Sequence, residues 1–459
     1  MVRRPPAAGE VRINLIRVMD LLQEHLTSAL CRTVFRRVRI TERQRKWTLD
    51  ALVRFWIAVI LRAPQALSQA LLDTLDGREP LVPRIQATPE AFFQRCRDLR
   101  SAFFAEVFAR FTARLLEHVP ERYATALAPV QAGFTAIVMF DGSRLAAIAH
   151  RLKILRNERA VVLPGCLLGV YDVGRGLCRA LYFTADAAAS EMTRAKAALT
   201  DLTRDMLVVG DRLYCTADFF HALAAQQCWG LFRRHRSLSL RRQRCLRKRR
   251  HLGGCLEDWI VEAGAGQSVP VQTLRHIRWR RGGTRYDVLT NVLDPTRLGA
   301  QDALALYPYR WRIERMYFDL KEVLNLNRIY AANPNAVAMQ VYAAGMVYNA
   351  MRVAQGEVAA QAGVAPEEIS PAKFYPRMAA ACHAYITAQL WALRVKQLNP
   401  HQRVRLPNWS RERWASVAAT ALRVERRRGP RRRRRYCKAR RRWKSLAHVR
   451  GGRKFTKLS

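Results

Sequence analysis

Up to about residue 125, apolar positions recur at steps of three and four, the spacing of helices that bury one face. Thr41-Glu42-Arg43-Gln44 reads as a capping-box start. Thr88-Pro89 reads as another, because proline suits a first turn whose N–H groups lack intrahelical partners anyway. The stripe Phe92, Cys96, Leu99, Phe103, Val107 and Phe111 fits core packing. From residue 134 the period shortens. Runs at 134–140, 161–171 and, after the turn Gly174-Arg175-Gly176, 180–184 predict a three-stranded meander. A helix over 189–202 leads into Met206-Leu207-Val208-Val209, a short apolar run typical of a buried strand. A helix over 217–227 and a strand over 229–233 follow.

Three strands, helix, strand, helix, strand is the order of a ribonuclease-H-like fold. The expected class is therefore α/β, with a mixed five-stranded sheet. The basic run 233–250 interrupts this pattern, and alternating segments at 259–261, 269–279 and 286–292 predict a β-rich insertion with a Gly282-Gly283 turn. Helical sequence resumes near residue 301 and runs, with breaks at Pro334 and Pro371, to about residue 418. The expected organisation is a helical N-terminal DNA-binding domain (1–125), core (126–232), insertion (233–300), core again (301–350), a helical C-terminal region (351–422) and a basic tail (423–459).

Charge narrows the partner. The 459 residues hold 80 Lys+Arg against 36 Asp+Glu, a formal charge of +44. An excess of this size repels itself unless a polyanion accompanies it, and the usual polyanion is nucleic acid. Arg36, Arg37, Arg39, Arg43 and Arg45 crowd the first helices, and from Arg423 onward eighteen Lys/Arg face one acid. Such a tail is expected to be disordered until bound. Half of the chain is apolar, which suits a globular catalyst better than a basic scaffold. The ten cysteines form no C-x-x-C pair, so a reduced, cytoplasmic protein is expected. No signal peptide or membrane span is expected either, since the best candidate, 55–61, is flanked by Arg54 and Arg62 and is too short.

Candidate chemistry begins with two aspartates. Asp141 follows one apolar strand, before Gly142-Ser143, and Asp211 ends another in Gly210-Asp211-Arg212-Leu213-Tyr214. The strand-end rim of an α/β sheet is where ligands sit, although an aspartate after a strand also starts turns. Glu314 adds a third carboxylate. At about 100° per residue, Tyr307, Arg310, Glu314 and Lys321 fall within an arc of about 60°. Such a face is expected to stay unburied, with packing left to Ile313, Met316, Tyr317 and Leu320. An i, i+4 ion pair of Arg310 with Glu314 is the plainer alternative.

The pattern Tyr307-x2-Arg310-x3-Glu314-x6-Lys321 resembles the YREK signature of the insertion-sequence-four family of bacterial DDE transposases. With only eleven lysines among the cations, chance would produce this spacing in roughly one sequence in five hundred. The resemblance covers about residues 130–350. Two positions depart from it: Leu213 stands where the family commonly has glycine, and Pro308 should kink the helix.

The resemblance implies that Asp141, Asp211 and Glu314 are catalytic and hold two Mg²⁺ ions, for which Mn²⁺ can substitute. It implies DNA contacts from Tyr307, Arg310 and Lys321, with Arg212 a further candidate. The activity implied is cut-and-paste transposition, with terminal inverted repeats and target DNA as partners, a homodimer in the synaptic complex, and a nucleoid-associated, cytoplasmic location in bacteria. The alternatives are a metal-dependent nuclease of the same fold without strand transfer, and a non-catalytic nucleic-acid-binding protein. Trp259 and Trp279 fit core packing better than base stacking.

Overall fold

The computed structural model describes residues 17–38, 45–147, 161–266, 269–398 and 443–445. Its first part is helical: α1 (Arg17–His25), α2 (Ser28–Val38), α3 (Leu49–Arg62), α4 (Leu67–Leu75), α5 (Pro89–Asp98), α6 (Ser101–His118) and the single turn α7 (Ala128–Gln131). Thr88 caps α5, its hydroxyl accepting from the Ala91 N–H at 3.4 Å, and Pro89 takes the first turn. The start expected at 41–44 lies outside the described residues, as do Arg39 and Arg43; within them Thr48 caps α3. The phenylalanine stripe is fully buried but spans two helices, because α5 ends at Asp98.

The strands are β1 (Ile137–Arg144), β2 (Val161–Leu163), β3 (Cys166–Asp172), β4 (Leu177–Thr184), β5 (Leu207–Gly210), β6 (Trp229–Arg233), β7 (Leu240–His251), β8 (Gly254–Ala263), β9 (Gln272–Arg281), β10 (Thr284–Thr290) and β11 (Trp443–Ser445). Nine of them form one sheet, in the order β4-β3-β1-β5-β6-β10-β9-β8-β7. β1, β5 and β6 run parallel, and β3 is antiparallel to both β1 and β4. The helices α8 (Glu191–Ala198) and α9 (Ala217–Ala225) make the crossovers into β5 and β6. This half of the sheet is compatible with a ribonuclease-H-like DDE domain.

Two expectations about strands change. The run 161–171 is not one strand: Gly165, at φ +149° with the Thr184 carbonyl where a Cβ would stand, turns the chain, and β2 leaves the sheet to pair with β11. Part of the expected basic tail is therefore a paired strand. The basic run before residue 251 is also a strand, β7, at the sheet edge. Alternation cannot reveal it, because both of its faces are charged and solvated, a common defence of an unpaired edge. The insertion strands continue the core sheet, since β10 pairs antiparallel with β6.

Side chains alternate across the sheet. Val138, Phe140 and Val208 pack with α8 and α9, whereas Ile137, Met139, Leu207 and Val209 face the larger helical core. α10 (Ala300–Leu306) passes through a 3-10 turn, Tyr307–Arg310, into α11 (Trp311–Phe318) and then a π turn, Asp319–Val323. Pro308 does not end the helix; the tighter turn absorbs it. α12 (Pro334–Gln361) runs across residue 350, is apolar and buried almost all round, and packs against α1, α3, α6 and β4. The N-terminal helices thus share one core with it. Pro334 and Pro371, expected as breaks, open α12 and α13 (Pro371–Leu398). Among the described residues, no helix is long and apolar enough to cross a membrane.

Candidate active site

Asp141 lies within β1, opposite Gly169 of β3, two residues beyond the last parallel pair with β5. The alternation that buries Ile137 and Met139 towards the helical core turns Asp141 the same way. Asp211, two residues beyond Val209 on β5, faces that side too. α11 covers this side, packing on β1 and β3, and carries Glu314. Two interactions set its position. The Tyr317 hydroxyl donates to the Asp141 carbonyl at 2.6 Å, over Gly169, where a Cβ would press on Tyr317. The Lys321 ammonium donates to the Ser143 hydroxyl at 2.6 Å and the Arg144 carbonyl at 2.7 Å.

The charge around Asp141 reflects this gathering. Burial, then Glu191, pushes its carboxyl up to about 7; Arg310 opposes them, while Asp211 and Glu314 push the same way. All three expected carboxylates therefore act on one neighbourhood. Their side chains nonetheless have other partners. Asp211 caps the turn Arg212–Tyr214, accepting from the Leu213 N–H at 2.6 Å. Glu314 accepts from Arg310 at 2.8 Å, the plainer ion pair weighed from the sequence. Among the described residues, no group of three or more His, Cys, Asp or Glu side chains is close enough to hold an ion. The donors are all carboxylate oxygens, the chemistry that suits Mg²⁺ or Mn²⁺.

The expected DNA-contacting residues divide. Arg212 is exposed. The face carrying Tyr307 and Arg310 is not solvent-facing as expected: Tyr307 is 5% exposed and Arg310 9%. Tyr307 packs edge-on to Tyr286, with ring centroids 5.6 Å apart, and burial pushes its hydroxyl up to about 12. Arg310 can be buried because it is paired with Glu314 and lies over Trp311, 4.6 Å from the ring centre. Lys321 is half-buried against the end of β1, and burial lowers its pKa. Ile313, Met316, Tyr317 and Leu320 are buried as expected. Leu213 sits in the 3-10 turn after Asp211 without positive φ.

Glu191 is the residue that sequence reasoning missed. It opens α8 after the N-cap Ser190, from the opposite face of the sheet. Gly142 admits it, since a Cβ there would overlap its carboxylate. The Tyr214 hydroxyl holds it at 2.6 Å. The tyrosine of the Gly-Asp-Arg-x-Tyr segment and the glycine after Asp141 were the available signals, but neither names its partner. Trp259 and Trp279 belong to the sheet: Arg242 stacks over Trp259 at 4.6 Å, and the Trp279 indole donates to the His251 carbonyl at 2.8 Å.

Residues 167–350 match the family model of the transposase DDE domain. The match supports a DDE transposase. It contains Asp211, Glu314 and Glu191 and begins beyond Asp141. It implies a nuclease or transposase enzyme with DNA as its partner. No curated protein matches the chain.

Proposed function

We propose that the protein is a DDE transposase of the insertion-sequence-four type, which cuts the ends of its element and joins them to target DNA. The observation that carries this reading is that Asp141 on β1, Asp211 just after β5, and Glu314 on α11, which packs over β1 and β3, lie at one rim of one sheet. In the proposal these three carboxylates hold two Mg²⁺ or Mn²⁺ ions. Bound there, the pair supplies an activated water and relieves charge on the leaving oxygen.

The protein's own groups prepare that state. Arg310 pairs with Glu314; were that carboxylate engaged by a metal, the guanidinium would be free to pair with a DNA phosphate. Tyr317 and Lys321 hold the carboxylate-bearing helix against β1. Pairing of two DNA ends calls for a homodimer during the reaction.

Asp141→Asn, Asp211→Asn and Glu314→Gln should each abolish Mg²⁺-dependent nicking of the protein's cognate element ends, while DNA affinity stays within a few-fold. Retained nicking in any of the three would refute the assignment. Nicking by the wild type without joining of the freed 3′ end would identify a nuclease instead.

A further inference from the structure

A cavity of about 720 Å³ lies beside this rim. It is lined by Arg212, which follows Asp211; by Arg233, the last residue of β6; by Arg234, His235 and Arg236 of the next loop; and by Arg285 and Asp287 of β10. β5, β6 and β10 are neighbours in the sheet, so the fold itself draws these guanidinium groups together.

The one acid in the wall cannot balance them. Oδ1 of Asp287 is engaged by His276 at 3.0 Å and by Arg278 at 2.8 Å, and Oδ2 accepts from Arg285. Arg212, Arg233, Arg234 and Arg236 make no ion pair among the described residues. The backbone N–H of Arg234 is tied to the Asp287 carbonyl at 3.1 Å, but its side-chain Nε is buried without a hydrogen-bond partner. Burial lowers the pKa of Arg234, and the cations Arg285 and Arg278 add to the lowering, while Asp287 and Cys215 oppose it. A buried guanidinium N–H left unpaired calls for an acceptor, and planar forks of this kind suit phosphate oxygens.

The cavity is also connected to the catalytic helix. Arg233 lies over Tyr286, 5.6 Å from its centroid, and Tyr286 packs edge-on to Tyr307, which starts the Tyr307–Arg310 turn. It is far larger than one phosphate requires, and its wall is cationic rather than apolar, which favours a stretch of backbone over a single anion or a base.

We propose that this cavity binds consecutive backbone phosphates of the DNA strand entering the carboxylate site. The proposal rests on the transposase reading only for the identity of the polyanion. The test is the salt dependence of binding to a fluorescein-labelled duplex, followed by anisotropy. Each phosphate that the protein no longer neutralises lowers the slope of log K against log salt by about 0.9.

Replacing Arg233, Arg234 and Arg236 together with glutamine should therefore reduce the slope by about two to three units. The same change at Arg204 and Arg377, exposed and outside the cavity, should leave it unaltered. Arg236→Gln alone, at an exposed position, should lower it by about one unit, and keeps the test valid if the triple variant does not fold by circular dichroism. An unchanged slope, or an equal fall in the control, would overturn the proposal. Calorimetry with tripolyphosphate separates the sources: a cavity variant that no longer binds tripolyphosphate but keeps its DNA slope would mean a free polyanion and would also overturn it. Absence of nicking by the wild type would sink the catalytic reading and leave this measurement intact.

Discussion

Asp141 and Glu191 illustrate what single residues contribute. A carboxyl held near 7, against an ordinary value of 3.8, binds its proton more tightly folded than unfolded. It therefore stabilises the fold below pH 4 and loses that contribution as pH rises through 7. In a metal-free comparison, the melting temperature of wild type relative to Asp141→Asn should fall between pH 4 and pH 7, and Mg²⁺ should offset the fall; a flat difference would contradict it. Glu191→Gln removes the largest charge acting on Asp141 and should move this transition to lower pH. Gly142→Ala must displace Glu191, and should shift the transition in the same direction. Unaltered transitions in both variants would mean that Glu191 has no influence on the site.

At the scale of elements, the helix bearing Glu314 is placed by its packing partners more than by its propensity. α11 has eight residues, entered through a 3-10 turn and left through a π turn, so its orientation depends on what holds it. Tyr317→Phe and Lys321→Met each remove hydrogen bonds to β1, worth about 1 kcal/mol apiece in stability. Nicking should fall much further, by about tenfold or more, because a displacement of Glu314 by about 1 Å matters to catalysis far more than to folding. Parallel losses of stability and rate, with activity restored on cooling, would argue against a positioning role. The apolar faces of these elements were legible in the sequence, because burial leaves a period. The 3-10 and π turns leave none, so a uniform wheel through Tyr307 placed its face in solvent.

At the scale of the whole molecule, the insertion and the core are one sheet, and a buried ion pair ties them to the return segment. Arg275 on β9 is fully buried, bound to both oxygens of Asp258 on β8 at 3.1 and 2.7 Å and to the Leu298 carbonyl at 2.8 Å, just before α10. Asp258→Ala would leave that guanidinium without its counter-charge and should destabilise the protein by about 3–5 kcal/mol, read by denaturant unfolding. A loss below about 1 kcal/mol would mean that the pair behaves as a surface ion pair.

The sequence by itself determined the helical opening, the order of the core strands β1, β3, β4, β5 and β6 with the helices between them, and the buried residues of α11. Each of these is local: a period, a cap, or a spacing along one chain segment. Only the tertiary structure decided that β7 is a strand, that β2 leaves the sheet for β11, that Tyr307 and Arg310 are buried, and that Glu191 reaches Asp141 across Gly142. It also gathered the arginines of three neighbouring strands around one cavity. Those outcomes depend on pairing and packing between residues far apart in sequence, and side chains alone leave no periodic trace of a partner on another segment.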